Sequence, residues 1–202
     1  MTNSRSGNGD PSAVPDLSQI VLIGVNHRTA SVELREKLAF TPEETENALQ
    51  LLQESSHISE SMIISTCNRV EVVMVTDNQA LALETISSFI TAAKSISRSL
   101  MENCAYIHTG SRAVAHIFQV AASLDSMMIG EPQILGQVKD AFKTAVAKKS
   151  TGLILNRLLH KTFSVAKRVR HETGIGGHAV SISYAAVELA RKIFDTLDGK
   201  TV

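Results

Sequence analysis

The sequence predicts an α+β fold, in which a ferredoxin-like antiparallel sheet is packed by helices and followed by a long connecting helix. Two apolar runs, SMIIS at 61–65 and VEVVMV at 70–75, are separated by only four residues. A crossover helix needs more chain than this, so we expect the two runs to pair as antiparallel strands. Beyond residue 111 only helical patterns remain.

The other elements of the first half alternate between strands and helices. An apolar run at 20–25 predicts a buried strand that ends in a polar turn, and Ser31 begins a helical stretch. Thr41, Pro42 and Glu44 form a capping-box pattern for a helix that should run to about residue 54. A further helix is predicted at 78–97, followed by a short edge strand at 105–108.

Helices account for the second half. Ser111 should cap a helix that runs to about residue 123, and Glu131 with Pro132 should open the long helix. A helix at 153–172 follows, stopped by the GIGG run at 174–177, and the last helix is predicted at 181–194.

Composition limits the partners and the cellular compartments that suit the protein. Among 202 residues, 20 Lys and Arg balance 20 Asp and Glu, so net charge indicates neither a nucleic-acid nor a membrane partner. Two cysteines without a CxxC pair argue against a disulfide framework or a zinc site, and favour a reducing compartment. Residues 1–17 form a polar leader that we expect to be disordered. No apolar stretch approaches the ~20 residues that span a bilayer.

Cys67 is the strongest candidate for chemistry. The run STCNR at 65–69 delivers a thiol to a polar strand end, with Arg69 on the same side as the sulfur if the strand stays extended. Nearby positive charge stabilises a thiolate, which is the nucleophilic form. The alternative is that Cys67 is a small buried apolar residue, which is the commoner fate of a lone cysteine. Cys104 does not have polar flanks on both sides, and we interpret it as structural.

Histidines supply the candidate proton-transfer groups. His27 and Arg28 lie on the turn after the first strand, where a functional role and an ordinary solvated turn are equally compatible with the pattern. His116 lies inside an amphipathic helix, where a hydrogen-bonded core histidine is the usual finding. It becomes a general acid or base if the fold brings it to Cys67.

The segment at 124–137 concentrates polar residues around a helix start. Ser126, Glu131 and Pro132 precede Gln133 and Gln137, which are four residues apart and share a helix face. Ordinary capping accounts for Glu131 and Pro132, but it does not account for two glutamines on one face.

A basic stretch extends over 143–171, with eight Lys or Arg residues and no Asp or Glu. A solvated helix face is the usual explanation, although one-sided charge also suits phosphate contacts. Since no ladder of aromatic residues accompanies the charges, RNA recognition here would use shape and backbone rather than base stacking.

Four segments together resemble the glutamyl-tRNA reductase family. They are GVNHRTASVELREKLAF at 24–40, STCNRVEVV at 65–73, LDSMMIGEPQILGQVKDAF at 124–142 and AVSISYAAVELA at 179–190. The resemblance extends in order over about residues 20–202, and the strings STCNR and GEPQILGQ are long and unusual.

The resemblance implies a reaction in two steps. Cys67 would attack the ester that joins glutamate to tRNA, and hydride from NADPH would reduce the thioester to glutamate 1-semialdehyde, the first step of five-carbon tetrapyrrole (porphyrin) biosynthesis. His116 would assist catalysis. The implied substrate-binding residues are Thr66, Asn68, Arg69, Ser126, Glu131, Pro132, Gln133 and Gln137.

Partners and setting follow from the same resemblance. Glutamyl-tRNA(Glu) would be the substrate, the full-length family enzyme would be a homodimer, and the downstream aminomutase would be a further partner. No metal and no membrane are implied, and a bacterial cytoplasm fits better than a plastid because the leader is short.

The chain departs from the family in its nucleotide-binding motif. No GxGxxG-type turn is present, and GIGG at 174–177 does not follow a predicted strand. We therefore expect a catalytic domain at 18–172 and only the start of an NADPH-binding domain at 173–202, so that this chain performs acyl transfer without reduction. A tRNA-binding module without catalysis and a stand-alone thiol hydrolase are the alternatives.

Overall fold

The structure, a computed structural model, describes residues 17–175 and 182–194. Its centre is a four-stranded antiparallel sheet in the order β2-β3-β1-β4. The strands are β1 (Ile20–Asn26), β2 (Ile58–Ser65), β3 (Arg69–Thr76) and β4 (Tyr106–Thr109). Helices connect β1 to β2 and β3 to β4, and β1 and β3 lie at the centre, which is the ferredoxin-like arrangement. This confirms the predicted fold class, the antiparallel pair and the edge position of the last strand.

The described residues contain eight α-helices in addition to this sheet, after a short 3-10 turn at Leu17–Gln19. They are α1 (Val32–Leu38), α2 (Pro42–Glu54), α3 (Gln79–Lys94), α4 (Arg98–Cys104), α5 (Gly110–Ala121), α6 (Gln133–Ala147), α7 (Leu153–Glu172) and α8 (Ile182–Ile193). Among these residues no helix is both long enough and apolar enough to cross a bilayer.

Several predicted helix boundaries are confirmed. The Thr41 side chain accepts a hydrogen bond from the Glu44 amide, and the Glu44 carboxylate accepts one from the Thr41 amide at 2.7 Å. This is the capping box that the sequence indicated. Ser31 caps α1 through the amide of Leu34. The bounds of α7 agree with the prediction.

Other boundaries were wrong for identifiable local reasons. The single helix predicted at 78–97 ends at Lys94, because Ser95 adopts a left-handed conformation with φ 48°. Ser97 then caps the separate helix α4. Ser111 does not cap α5, which already begins at Gly110.

The long helix also begins later than expected. Glu131 precedes α6 and Pro132 occupies its N-cap, so the first helical residue is Gln133. Residues 1–16, 176–181 and 195–202 lie outside the described residues. The predicted disorder of the leader and most of the GIGG run fall in these ranges.

The two faces of the sheet have different roles. On one face, Val25, Val70 and Val72 pack with residues of α1, α3 and α4 in the apolar core. Because successive side chains of a strand alternate between faces, Gly24 and Glu71 lie on the opposite face, where α5 packs. Both faces of the sheet are packed with apolar side chains, and the face of Glu71 also carries buried charge.

Candidate active site

Cys67 lies at the tip of the tight turn that joins β2 and β3. The amide of Thr66 donates to the carbonyl oxygen of Arg69 at 2.8 Å, which closes the turn. The Thr66 hydroxyl accepts from the amides of Asn68 and Arg69 at 3.2 and 3.1 Å. The turn is thus held by its own threonine, and it leaves Cys67 exposed.

Two neighbouring segments hold this turn from outside. Arg35, a buried residue of α1, donates from Nε to the carbonyl oxygen of Cys67 at 3.1 Å and from Nη1 to that of Ala30 at 2.7 Å. The amide of His27 donates to the carbonyl oxygen of Asn68 at 3.0 Å. Sequence reasoning missed Arg35, whose signal was its spacing of three residues from Leu38 on the buried face of the helix.

A cavity of about 420 Å³ opens beside the thiol. Its lining includes Thr66, Cys67 and Asn68, so the structure brings these three predicted residues together. A second cavity of about 390 Å³ shares Phe40 and Ser65 with the first and is lined by Gln137 as well. The two cavities therefore place Gln137 next to the thiol cavity rather than in it.

We expected Arg69 and the Cys67 sulfur to lie on the same side of an extended strand. This expectation was wrong, because the chain turns at residues 66–68. The Arg69 guanidinium is 1% exposed and donates to Glu71 Oε1 at 2.7 Å and to Asp125 Oδ2 at 3.2 Å. A further hydrogen bond joins Nη2 to the carbonyl oxygen of Asp125. Burial alone would lower the pKa of Arg69, but the charge of Glu71 and its other acidic partners raise it. The guanidinium is therefore a fixed, charged part of a buried network.

Glu71 is the centre of this network. Its side chain is fully buried, and Oε1 accepts from Arg69 and from the Tyr106 hydroxyl at 2.5 Å. His116 Nε2 lies 2.7 Å from the same oxygen, within hydrogen-bond distance. Burial alone would raise the pKa of Glu71, but the hydrogen bond from His116 and the charge of Arg69 lower it. Sequence reasoning missed Glu71, although a glutamate inside an otherwise apolar strand is an unusual pattern.

His116 faces a separate polar cavity of about 230 Å³. The lining comprises Asn26, Arg28, Tyr106, His108, His116, Gln119 and Asp125. This cavity shares no lining residue with the cavity at Cys67, so the fold does not place the imidazole and the thiol in one cavity. The chain connects them through Arg69, which follows the turn and contacts Glu71.

The remaining predicted residues lie around the loop between α5 and α6. Ser126 is buried next to Asp125, while Gln133 is exposed. The carbonyl oxygen of Glu131 accepts from the Ser123 hydroxyl at 2.6 Å. Ser126, Glu131, Pro132 and Gln133 line none of the three cavities described above.

The basic stretch is partly neutralised. Lys148 pairs with Glu46, Arg168 with Glu172, and Arg170 donates to backbone carbonyls at 130 and 131. Four lysines remain exposed on and just beyond α6 and on α7: Lys143, Lys149, Lys161 and Lys167. These four lysines line none of the three cavities described above.

The described residues do not suit a dinucleotide cofactor. Gly174 has a positive φ of 67°, but it follows helix α7 rather than a strand. A dinucleotide-binding turn joins a strand to the start of a helix, where amides receive the phosphates. Within residues 17–175 and 182–194, no group of three or more His, Cys, Asp or Glu is arranged to hold a metal ion.

Comparison with known proteins agrees with this architecture. The family model for the glutamyl-tRNAGlu reductase N-terminal domain matches residues 23–173. Glutamyl-tRNA reductase of Geobacter metallireducens is 53% identical over 183 residues, 91% of this chain and 42% of the relative. The enzyme of Nitratidesulfovibrio vulgaris is 53% identical over 176 residues, 87% of this chain and 39% of the relative.

A solved structure gives the same result. Glutamyl-tRNA reductase from Methanopyrus kandleri superposes with a TM-score of 0.67 and 34% identity, over 87% of this chain and 40% of that one. The chain thus spans about two fifths of the length of the relatives it matches. On this basis, the chain belongs to the glutamyl-tRNA reductase family and corresponds to the N-terminal domain of that family.

Proposed function

We propose that this chain transfers the glutamyl group of glutamyl-tRNA(Glu) to Sγ of Cys67, the acyl-transfer half of a glutamyl-tRNA reductase. The observation that carries the proposal is the exposed thiol at the tip of a hydrogen-bonded turn, beside a cavity of about 420 Å³. A rigid turn holds a nucleophile in one place, and the cavity leaves room for an acyl group.

The transfer is a nucleophilic substitution at an ester. The Cys67 thiolate attacks the glutamyl carbonyl carbon, and the bond from that carbon to the 3′-terminal ribose oxygen breaks. The ribose oxygen takes up a proton, and a glutamyl thioester remains on sulfur. We assign proton transfer to His116 from the family resemblance, although its imidazole lines a different cavity from the thiol. We assign substrate contacts to Thr66, Asn68 and Gln137, which line the thiol cavity or the adjoining one.

Arg69 contributes to the proposed substrate site indirectly. Its guanidinium is occupied by two carboxylates, so it supports the substrate site by holding the loop at Asp125 against β3. Ser126, Glu131, Pro132 and Gln133 complete the proposed substrate-binding set through that loop and the start of α6. Their assignment follows from the family resemblance.

The full family reaction extends beyond the described residues. We propose that reduction of the thioester to glutamate 1-semialdehyde by NADPH, in tetrapyrrole biosynthesis, needs a nucleotide-binding domain that begins within 173–202. Residues 18–172 would then form the catalytic glutamyl-tRNA-binding domain. Homodimer formation and transfer of product to the aminomutase belong to the full-length enzyme, and we assign the protein to the bacterial cytoplasm.

Acylation with labelled substrate tests the proposal. The chain is mixed with glutamyl-tRNA(Glu) that carries labelled glutamate, and the labelled peptide is identified by mass spectrometry. We expect one adduct on Cys67, none in Cys67→Ser, and an unchanged adduct in the matched variant Cys104→Ser. An adduct on Cys104 contradicts the proposal. Formation of aldehyde after addition of NADPH contradicts the restriction to acyl transfer.

A tRNA-binding module without catalysis is the second candidate. The exposed lysines at 143, 149, 161 and 167 favour it, because exposed cations attract phosphates. It predicts salt-sensitive tRNA binding that Cys67→Ser leaves unchanged, together with no acylation of wild type. Cleavage of simple esters without tRNA would instead indicate a thiol hydrolase.

A further inference from the structure

We propose that Glu71 is a positioning residue that holds the His116 imidazole with its proton on Nε2, so that Nδ1 is left bare as a proton acceptor. The hydrogen bond from Nε2 to Glu71 Oε1 is 2.7 Å long, and the Glu71 side chain is fully buried. The catalytic use of Nδ1 rests on the proposed function, whereas the tautomer itself does not.

The direction of this hydrogen bond follows from the chemistry of its partners. An ionised carboxylate has acceptor sites only, so the imidazole nitrogen that faces it must carry a proton. The Arg69 guanidinium donates to the same oxygen and favours the ionised form of Glu71. A neutral imidazole carries one ring proton, and with that proton on Nε2 the other nitrogen is unprotonated.

Packing prevents the carboxylate from turning away. Glu71 lies over Gly24, where no side chain competes for the space, and Tyr106 donates to the same oxygen. The His116 ring is also packed, with its centroid 4.7 Å from that of His108 and 5.4 Å from that of Tyr106. Both partners of the hydrogen bond are therefore held in one arrangement.

The arrangement has a chemical consequence. His116 lines the polar cavity together with Arg28, Gln119 and Asp125. A proton accepted at Nδ1 produces an imidazolium, and the ionised Glu71 at Nε2 stabilises its charge. A buried carboxylate that orients a histidine in this way is a recurring device in hydrolases that use a serine or cysteine nucleophile.

Nitrogen NMR of the whole chain tests the tautomer directly. Spectra of histidine-labelled protein are recorded at about pH 8, where an ordinary imidazole is neutral, and His116→Gln identifies the signals. We expect the His116 proton on Nε2 in wild type, with slow exchange because the group is buried. In Glu71→Gln, we expect this signal to move or the proton to shift to Nδ1. Tyr106→Phe, the matched control, removes another donor from the same oxygen and should keep the tautomer.

Two NMR results would overturn the proposal. One is a wild-type His116 with its proton on Nδ1. The other is a Glu71→Gln chain that is folded and has unchanged His116 signals.

A kinetic experiment tests the catalytic part. We expect Glu71→Gln to slow acylation of Cys67 roughly 10²-fold, the lower range for loss of an acid-base group. His116→Gln should reduce the acylation rate by about the same factor. The double variant should be no slower than His116→Gln alone, because both changes disable proton transfer by the same histidine. Additive losses would contradict this. If wild type is not acylated at all, the proposed function fails while the NMR result still decides the tautomer.

Discussion

Gly24 on β1 lies directly opposite Glu71 on β3, and a Cβ atom on Gly24 would stand 2.7 Å from Cγ of Glu71 and 2.8 Å from the carbonyl oxygen of Val70. Real Cβ contacts of this length essentially do not occur. The absence of a side chain at position 24 is therefore what allows a glutamate to lie flat against the sheet and reach His116.

Gly24→Ala should destabilise the protein by about 1–3 kcal/mol, the usual cost of forcing extra volume into a packed site. Chemical denaturation measures this change in the free energy of unfolding. Gly136→Ala is the matched control, because a Cβ there meets nothing within 4 Å and lies inside helix α6. The control should gain about 0.5–1 kcal/mol. Equal stability of the two variants would contradict the close approach.

Glu60→Ala should weaken the start of helix α7. The Glu60 carboxylate accepts from the amides of Ile154 at 3.0 Å and Leu155 at 2.7 Å, so a residue of β2 satisfies the first turn of this helix. Loss of these bonds should cost about 1–3 kcal/mol in denaturant unfolding. Glu54→Ala, at the exposed end of α2, should change stability by less than about 0.5 kcal/mol. A loss at Glu54 as large as that at Glu60 would argue against the cap.

The two cysteines should differ sharply in alkylation. Cys67 is exposed, whereas Cys104 is 6% exposed and burial raises the pKa of its thiol. Iodoacetamide should modify Cys67 alone in the native protein, and both residues in denaturant, as mass spectrometry of digested peptides can show. The Cys67→Ser variant should take up no label until it unfolds. Equal native rates at the two sites would refute the assignment of Cys104 to the core.

Arg35→Lys should slow acylation of Cys67 by about tenfold or more. A lysine has one terminal nitrogen in place of the planar group whose Nε and Nη1 now bond the two backbone carbonyls. A hydrogen bond to a charged group contributes about 1.5–3 kcal/mol. Single-turnover acylation and thermal unfolding separate the effect on the turn from an effect on the fold. Arg98→Lys, in an exposed ion pair, should leave both unchanged. An unaltered acylation rate in Arg35→Lys would show that the turn does not need this support.

Stability should fall as the pH decreases from about 7.5 to about 5.5. In the folded state the pKa of His108 is lowered, mainly by partial burial and to a smaller extent by the neighbouring His116. The unfolded chain therefore binds a proton at a higher pH than the folded chain, so acidification through the ordinary histidine range favours unfolding. His108→Gln should reduce this slope in denaturant titrations at several pH values. An unchanged slope would mean that His108 contributes nothing to it.

The local elements of this protein follow from local chemistry. The four-residue separation of two apolar runs and the capping box at Thr41 depend on neighbours in the chain, and both were predicted correctly. Cys104, which we interpreted as structural, is buried. The break at Ser95 was missed because a left-handed residue inside a helical pattern has no periodic signal.

The chemistry of the site depends on the tertiary structure. Sequence reasoning identified Arg69 and His116, but the carboxylate that joins them is Glu71, 45 positions from His116, and Arg69 reaches Asp125 across 56 positions. Strand register and the placement of α5 decide such pairs, and neither is encoded in the spacing of nearby residues. The sequence alone determined the strand pair and most of the helices, and that Cys67 lies between the two strands. Only the folded chain decided which charges meet, because burial makes an unpaired charge costly and selects the partners across the sheet.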